Sequence, residues 1–291
     1  MYIKDLFKEK KVVLSFEIFP PKVTSPIDTV FTTIEALSEL KPDYISVTYG
    51  AGGSTNENRT CELTSLVKNK YGIEPLAHLT CINSTREEID KVLENLKANS
   101  VRNILALRGD IPRDVENIGN FNQGYELIKY IKTKGVFNLS AACYPEGHVE
   151  TKDLDKDIEF LKLKVEAGAD HLITQLFFNN NFFYNFLNKV EQKNINLPIQ
   201  AGIMPVTNKK QIERVVSLCG ATLPEKFIKI INKYEYDPEA LRDAGIAYAI
   251  DQIVDLVSTG VIGIHLYTMN NPYVAIKISE GVNSLLKSIN N

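Results

Sequence analysis

Val12-Val13-Leu14-Ser15-Phe16-Glu17-Ile18 is a short apolar run with an acid one residue before its C-terminal end. A run of this length, too short for a buried helix, reads as a buried strand. Helical patterns separate it from seven more: Tyr44–Thr48, Leu76–Ile82, Asn103–Arg108, Leu139–Tyr144, His171–Phe177, Ile199–Met204 and Val261–Thr268. Most residues with obvious chemistry sit at or just past the C-terminal ends of these runs. They are Glu17, Thr48, His78, the Arg108-Gly109-Asp110 step, Tyr144, Gln175, Pro205 and Tyr267. The alternation predicts an α/β fold, a (β/α)8 TIM barrel with short extra helices. Such a barrel places every strand end on one rim, so residues far apart in the chain converge on one cavity. An enzyme is therefore the leading class.

Composition agrees. The 291 residues suit one barrel, and a single catalytic domain over 1–291 is expected, because no linker or composition break interrupts the repeat. A net charge of −3 offers no basic field for nucleic acid. Lys8-Glu9-Lys10-Lys11 reads as the solvated end of a first helix. Cys61, Cys81, Cys143 and Cys219 form no CxxC and no ligand spacing with histidine, and the two inside apolar strands read as small buried hydrophobes. The N-terminus has no signal-like apolar core and no stretch reaches membrane-span length, so a cytoplasmic protein is expected.

Helix signals fill the gaps between strands. Ser25-Pro26 followed by Asp28, Ser84-Thr85-Arg86-Glu87, Thr222-Leu223-Pro224-Glu225 and Asp237-Pro238-Glu239 all read as helix starts. Leu154, Ile158, Leu161 and Val165 form the stripe of an outer barrel helix. Extra helices are expected near Pro224–Tyr234 and Val274–Ser288. Strand parity then orients the site. Side chains alternate faces, and large apolar residues must meet the helices, so the small and polar parity faces the axis. Glu17, Tyr144 and Tyr267 all carry that inward parity at their strand ends.

Ordered motifs now become recognisable. Ser15-Phe16-Glu17-Ile18-Phe19-Pro20-Pro21-Lys22, Ser46-Val47-Thr48-Tyr49-Gly50, His78-Leu79-Thr80-Cys81-Ile82 and Leu107-Arg108-Gly109-Asp110 come first. Ala142-Cys143-Tyr144-Pro145-Glu146, Ile173-Thr174-Gln175, Gly202-Ile203-Met204-Pro205-Val206 and His265-Leu266-Tyr267-Thr268 follow. Together they resemble the flavin-dependent 5,10-methylenetetrahydrofolate reductases, at the length of a bacterial-type catalytic barrel. The resemblance implies non-covalent FAD at the rim, with a hydride passing from NAD(P)H to flavin N5. The hydride then goes to the folate's methylene carbon in a ping-pong sequence that yields 5-methyltetrahydrofolate for methionine biosynthesis. It also implies a homo-oligomer.

The resemblance makes Glu17 the acid that opens the folate's five-membered ring. An acid acting near neutrality must hold its proton, and the apolar neighbours Phe16 and Ile18 would favour the protonated form. Asp110 is placed beside the flavin, although a turn aspartate would look the same in sequence. Thr48, His78, Arg108, Gly109, Ala142, Tyr144, His148, Asp157 and Lys164 match flavin-lining positions; for Asp157 and Lys164 the bland reading is a surface pair. Gln175, Gln211 and Tyr267 are the expected substrate contacts. Asn208-Lys209-Lys210-Gln211 also reads as a capping box.

Two positions depart from relatives. Val215 stands where an aromatic can stack nicotinamide, and Asn271 where arginine can meet the folate's glutamate tail. Gly50-Ala51-Gly52-Gly53-Ser54-Thr55 lacks the third glycine of a dinucleotide fingerprint and reads as a loop. The loops after strands seven and eight lack the glycines of a phosphosugar site, and no strand end supplies a Schiff-base lysine. His78, His148, His171 and His265 are dispersed, so no metal site is expected, although a fold can bring them together. The second reading is a flavin- and folate-binding subunit taking electrons from a partner protein.

Overall fold

The computed structural model describes residues 1–21, 25–49, 54–110, 119–151 and 153–291, with backbone alone at 54–58. Lys22 and the glycines of the 50–53 loop lie outside the described residues. The strands are β1 Val13–Ile18, β2 Tyr44–Val47, β3 Glu74–Thr80, β4 Asn103–Leu107, β5 Asn138–Cys143, β6 His171–Thr174, β7 Ile199–Ile203 and β8 Gly263–Tyr267. The helices are α1 Ile3–Glu9, α2 Phe31–Glu39, α3 Ser54–Asn69, α4 Arg86–Ala98, α5 Gly124–Lys132 and α6 Leu154–Glu166. They continue with α7 Asn180–Gln192, α8 Lys209–Cys219, α9 Glu225–Tyr234, α10 Pro238–Ser258 and α11 Pro272–Asn290. All strands pair in parallel in chain order, and β8 returns to β1 to close the barrel, setting Glu17 opposite Tyr267.

Seven strands end one to three residues earlier than the apolar runs do. At the rim the chain leaves its ladder, so Thr48, Arg108, Tyr144 and Gln175 stand just beyond β2, β4, β5 and β6. Leu176 and Phe177 extend the apolar run past β6 because both are buried, Phe177 in the shell beneath the helices and Leu176 in the cluster of Phe178 and Phe227.

Parity separates two apolar layers. Phe16, Ile18, Val47, Leu79, Ile104 and Leu266 face outward into the shell beneath the helices. Val13, Tyr44, Leu76, Leu105 and Ile173 point to the axis and meet Ile3 and Leu6 of α1, which plugs the N-terminal end. Two asparagines fasten that plug. Asn103 Oδ1 accepts from the Ile3 amide at 2.9 Å and Asn138 Oδ1 from the Lys4 amide at 3.1 Å. Burial of Ile3 and Leu6 adds about 1.5–3 kcal/mol each. Sequence patterning marked no such role for α1.

Helix starts follow local chemistry with some shifts. Asp237 caps α10 by accepting from the Ala240 amide, with Pro238 at the first position. The capping box of α4 sits one residue later than expected, with Thr85 and Glu88 as its members. Pro26 precedes a 3-10 turn, Ile27–Val30, and no side chain caps it. Thr222 does not cap α9; its amide instead donates to the Glu146 carboxylate, at 3.0 Å from Oε2. Ser54 and Thr55, read with a loop in sequence, open α3.

Candidate active site

A cavity of about 890 Å³ opens at the C-terminal rim. That lies within the range of small-molecule sites. Glu17, Thr48, His78, Arg108, Gly109 and Asp110 line it, as do Ala142, Tyr144, His148, Gln175 and Tyr267. Strand ends deliver most of these groups, so residues from Glu17 to Tyr267 meet in one space. Apolar walls come from Leu105, Leu107, Ile173, Leu176, Met204 and Met269. Sequence reading did not single these out. Leu105, Leu107 and Ile173 share the inward parity that would have found them, whereas Met269 lies in a loop without such a signal.

Glu17 is the most closely supported of the rim groups. Its Oε2 lies 3.3 Å from His265 Nε2 and 3.5 Å from His78 Nε2, and its side chain is 18% exposed. The apolar residues beside it in sequence do not surround it, because Phe16 and Ile18 face the opposite way. Its actual neighbours are polar groups on the barrel axis, a correction to the sequence expectation that follows directly from strand alternation. Tyr267 lays its hydroxyl on the Thr174 carbonyl at 2.7 Å. Gly202 makes this possible, since a Cβ there would meet that carbonyl at 2.4 Å and the Tyr267 ring at 2.8 Å.

Gln175 Oε1 accepts from the Leu176 amide at 2.9 Å, which leaves its amide nitrogen for a ligand. Tyr144 and His148 stack edge to face, and burial pushes the Tyr144 hydroxyl up to about 12. Arg108 holds Glu150 through two bonds of 2.7 and 2.6 Å. Asp157 and Lys164 line a small recess beside the cavity, sharing Ala142 and Tyr144 with it. They do not form a solvated surface pair: Lys164 Nζ donates to the Ala142 carbonyl at 2.8 Å, and Asp157 accepts from the His148 amide. Burial lowers the Lys164 pKa.

One expected contact and the two departing positions fall elsewhere. Gln211 is absent from the cavity wall, its Oε1 taken by Thr207 Oγ1 at 3.1 Å and Asn208 Nδ2 at 3.4 Å. Asn208 caps α8 by accepting from the Gln211 amide, so half of the expected capping box forms. Val215 packs against the apolar cluster around Phe178 and Phe227. Asn271 caps α11.

Three of the four histidines converge. His78, His171 and His265 are buried on the axis, bonded to Ser46, Ser140 and Ser15 respectively. No group of three His, Cys, Asp or Glu suited to a metal occurs among the described residues. Burial is the main force pushing His78 down to about 4 and His171 to about 3. Both stay neutral in the fold while the unfolded chain takes up protons near pH 6.5, so stability is lost as pH falls from 6.5 toward 4. Each contributes a slope approaching about 1.4 kcal/mol per pH unit in that window. The melting temperature should therefore drop by several degrees between pH 6 and pH 5, and the drop should shrink in His171→Asn. A flat profile in the parent protein would contradict this reading.

A closed eight-stranded barrel with a polar, acid-bearing cavity at its C-terminal rim defines the enzyme class of these barrels. The family model for methylenetetrahydrofolate reductase matches residues 2–283. A 5,10-methylenetetrahydrofolate reductase of Pectobacterium carotovorum is 34% identical over 92% of this chain and 89% of its own. One of Buchnera aphidicola is 33% identical over 95% and 96%. The NADH-type methylenetetrahydrofolate reductase 1 of Arabidopsis thaliana is 34% identical, and this chain spans about half of it (49%). The chain belongs to the methylenetetrahydrofolate reductase family. A solved Clostridium thermocellum structure, described as an uncharacterized protein that binds two copies of 5-methyl-5,6,7,8-tetrahydrofolic acid, shares the fold. Its TM-score is 0.68 at 15% identity over 99% of this chain and all of that one. No described helix is long and apolar enough to cross a membrane.

Proposed function

We propose that this chain, acting as one catalytic domain in the cytoplasm, reduces 5,10-methylenetetrahydrofolate to 5-methyltetrahydrofolate with NAD(P)H and non-covalent FAD. The observation that carries the proposal is Glu17, held by His265 on the wall of the cavity that also contains Asp110 and Gln175, in a chain of this family. When bound, FAD supplies the hydride carrier between nicotinamide and folate. The donor set suits it. Among the described residues Lys164 is a half-buried cation with no ion pair, beside Tyr144 and His148, which is a fitting environment for a pyrophosphate. Arg108 would join it by releasing the exposed Glu150. Thr48, His78, Gly109 and Ala142 complete that wall.

Glu17 gives its proton to the folate as the ring opens, and the free amide nitrogen of Gln175 reads the acceptor edge of the pterin. Asp110 sets a negative charge where the redox ring would rest. Asp110→Asn should raise the potential of the bound flavin, because the reduced anionic ring loses a repulsive neighbour. A potential equal to that of the parent would separate Asp110 from the ring.

The purified protein should be yellow, and anaerobic NADH or NADPH should bleach it, with methylenetetrahydrofolate restoring the colour. A colourless protein that FAD does not reconstitute would overturn the proposal. Val215, packed on the apolar cluster, offers nicotinamide no aromatic face, which leaves open the second reading, in which a partner protein supplies the electrons. Colour lost to dithionite but not to nicotinamide would select that reading.

A further inference from the structure

Beneath Glu17 lies a series of side-chain hydrogen bonds whose direction follows from chemistry. The Tyr44 hydroxyl donates to Gln200 Oε1. Gln200 Nε2 faces Ser15 Oγ at 3.2 Å and the Ile264 carbonyl at 3.4 Å. That carbonyl can only accept, so it selects the amide orientation with the NH2 group on its side. Ser15 thus receives a hydrogen on its oxygen and must place its own elsewhere. Nδ1 of His265, 2.7 Å away, is nearer than the Ile264 carbonyl at 3.5 Å, and the neighbouring Tyr44 hydroxyl already gives its own hydrogen to Gln200. An imidazole that accepts at Nδ1 carries its hydrogen on Nε2. Nε2 is the atom that faces Glu17 Oε2.

We propose that His265 is a positioning residue: its Nε2–H makes Oε2 of Glu17 the accepting oxygen and leaves Oε1 to carry the proton that the acid delivers. Among the described residues Oε1 has no hydrogen-bond partner. The opposite tautomer would present a lone pair to Oε2 and draw the acid's proton down toward the axis, away from substrate. Tyr44, Gln200 and Ser15 prevent this by directing a hydrogen at Nδ1. His78 Nε2, also near Oε2, is engaged by Ser46 Oγ at 2.6 Å and does not substitute. The inference rests on the proposed reduction and adds how its acid is held.

The test is anaerobic single-turnover kinetics on flavin-loaded protein, with the two half-reactions measured separately in the parent, Glu17→Gln, His265→Leu, His265→Gln and Ser15→Ala. Reduction by nicotinamide should stay within about twofold in every variant, since no proton from Glu17 is needed there. Oxidation by methylenetetrahydrofolate should slow by about 10- to 100-fold in His265→Leu, part of the effect of a general acid. His265→Gln, whose amide nitrogen reaches the Nε2 position, should recover most of that loss. Ser15→Ala, which leaves the ring in place but releases the tautomer, should slow the same half-reaction about fivefold.

A folate half-reaction near the parent rate in His265→Leu would sink the inference, as would equal losses in both half-reactions or no recovery with glutamine. If the leucine variant does not fold, Ser15→Ala decides, and a parental rate there is fatal. A parent protein unreactive with the folate, or a fully active Glu17→Gln, would instead defeat the functional reading itself.

Discussion

Glu17→Gln should leave reduction by nicotinamide intact and slow the folate half-reaction by about 10²- to 10⁴-fold, the usual contribution of a general acid. The selectivity is the informative part. Glutamine matches glutamate in shape, and its carbonyl oxygen still accepts from His265 Nε2, so the packing around β1 and β8 is retained. Its other terminus is an amide that cannot give up a proton under these conditions. Nicotinamide oxidation involves no protonation by this group and serves as the internal control for folding and for flavin content. Rapid mixing of the pre-reduced variant with methylenetetrahydrofolate provides the measurement. A parental rate would remove Glu17 from the chemistry.

Gly245→Ala should be the most damaging small substitution in the barrel. Gly245 is buried in α10 against the segment that leaves β7, and a Cβ there would lie 1.7 Å from the Val206 carbonyl oxygen and 2.8 Å from its carbon. No rotamer relieves a clash with backbone, so either the helix or the loop must move. Overpacking of this kind costs about 3 kcal/mol or more. In a protein of this size that corresponds to a fall in melting temperature of about 6–12 °C. Met204, two residues before Val206, lines the cavity, so ligand binding should weaken as well. Gly281→Ala is the matched control, because its Cβ would meet the flexible Ile250 Cδ1 at 2.6 Å. Thermal melts that do not separate the two variants would refute the packing argument.

Much of this architecture was legible in residue order because it depends on local periodicity. Eight apolar runs alternate with helical stripes, and the small and polar parity read for β1, β5, β7 and β8 faces the axis in the folded barrel, whereas β4 turns Leu105 and Leu107 inward. Motif order likewise pointed to the family later matched over residues 2–283. Boundaries were less legible. Leu176 and Phe177 are as apolar and buried as any strand residue, yet they lie beyond the end of β6 at Thr174, and hydrophobicity alone does not mark where the ladder stops.

By itself, then, the sequence determined the eightfold alternation, the inward face of β1, β5, β7 and β8 and the gathering of polar groups at one rim, all consequences of spacing along a single strand. Only the tertiary structure decided that His265 and His78 flank Glu17 and that α1 closes the barrel floor. Those outcomes depend on registers between strands and on helix docking over separations as long as 248 residues. Contacts of that kind are set by how whole elements pack, and no local window of residues encodes them.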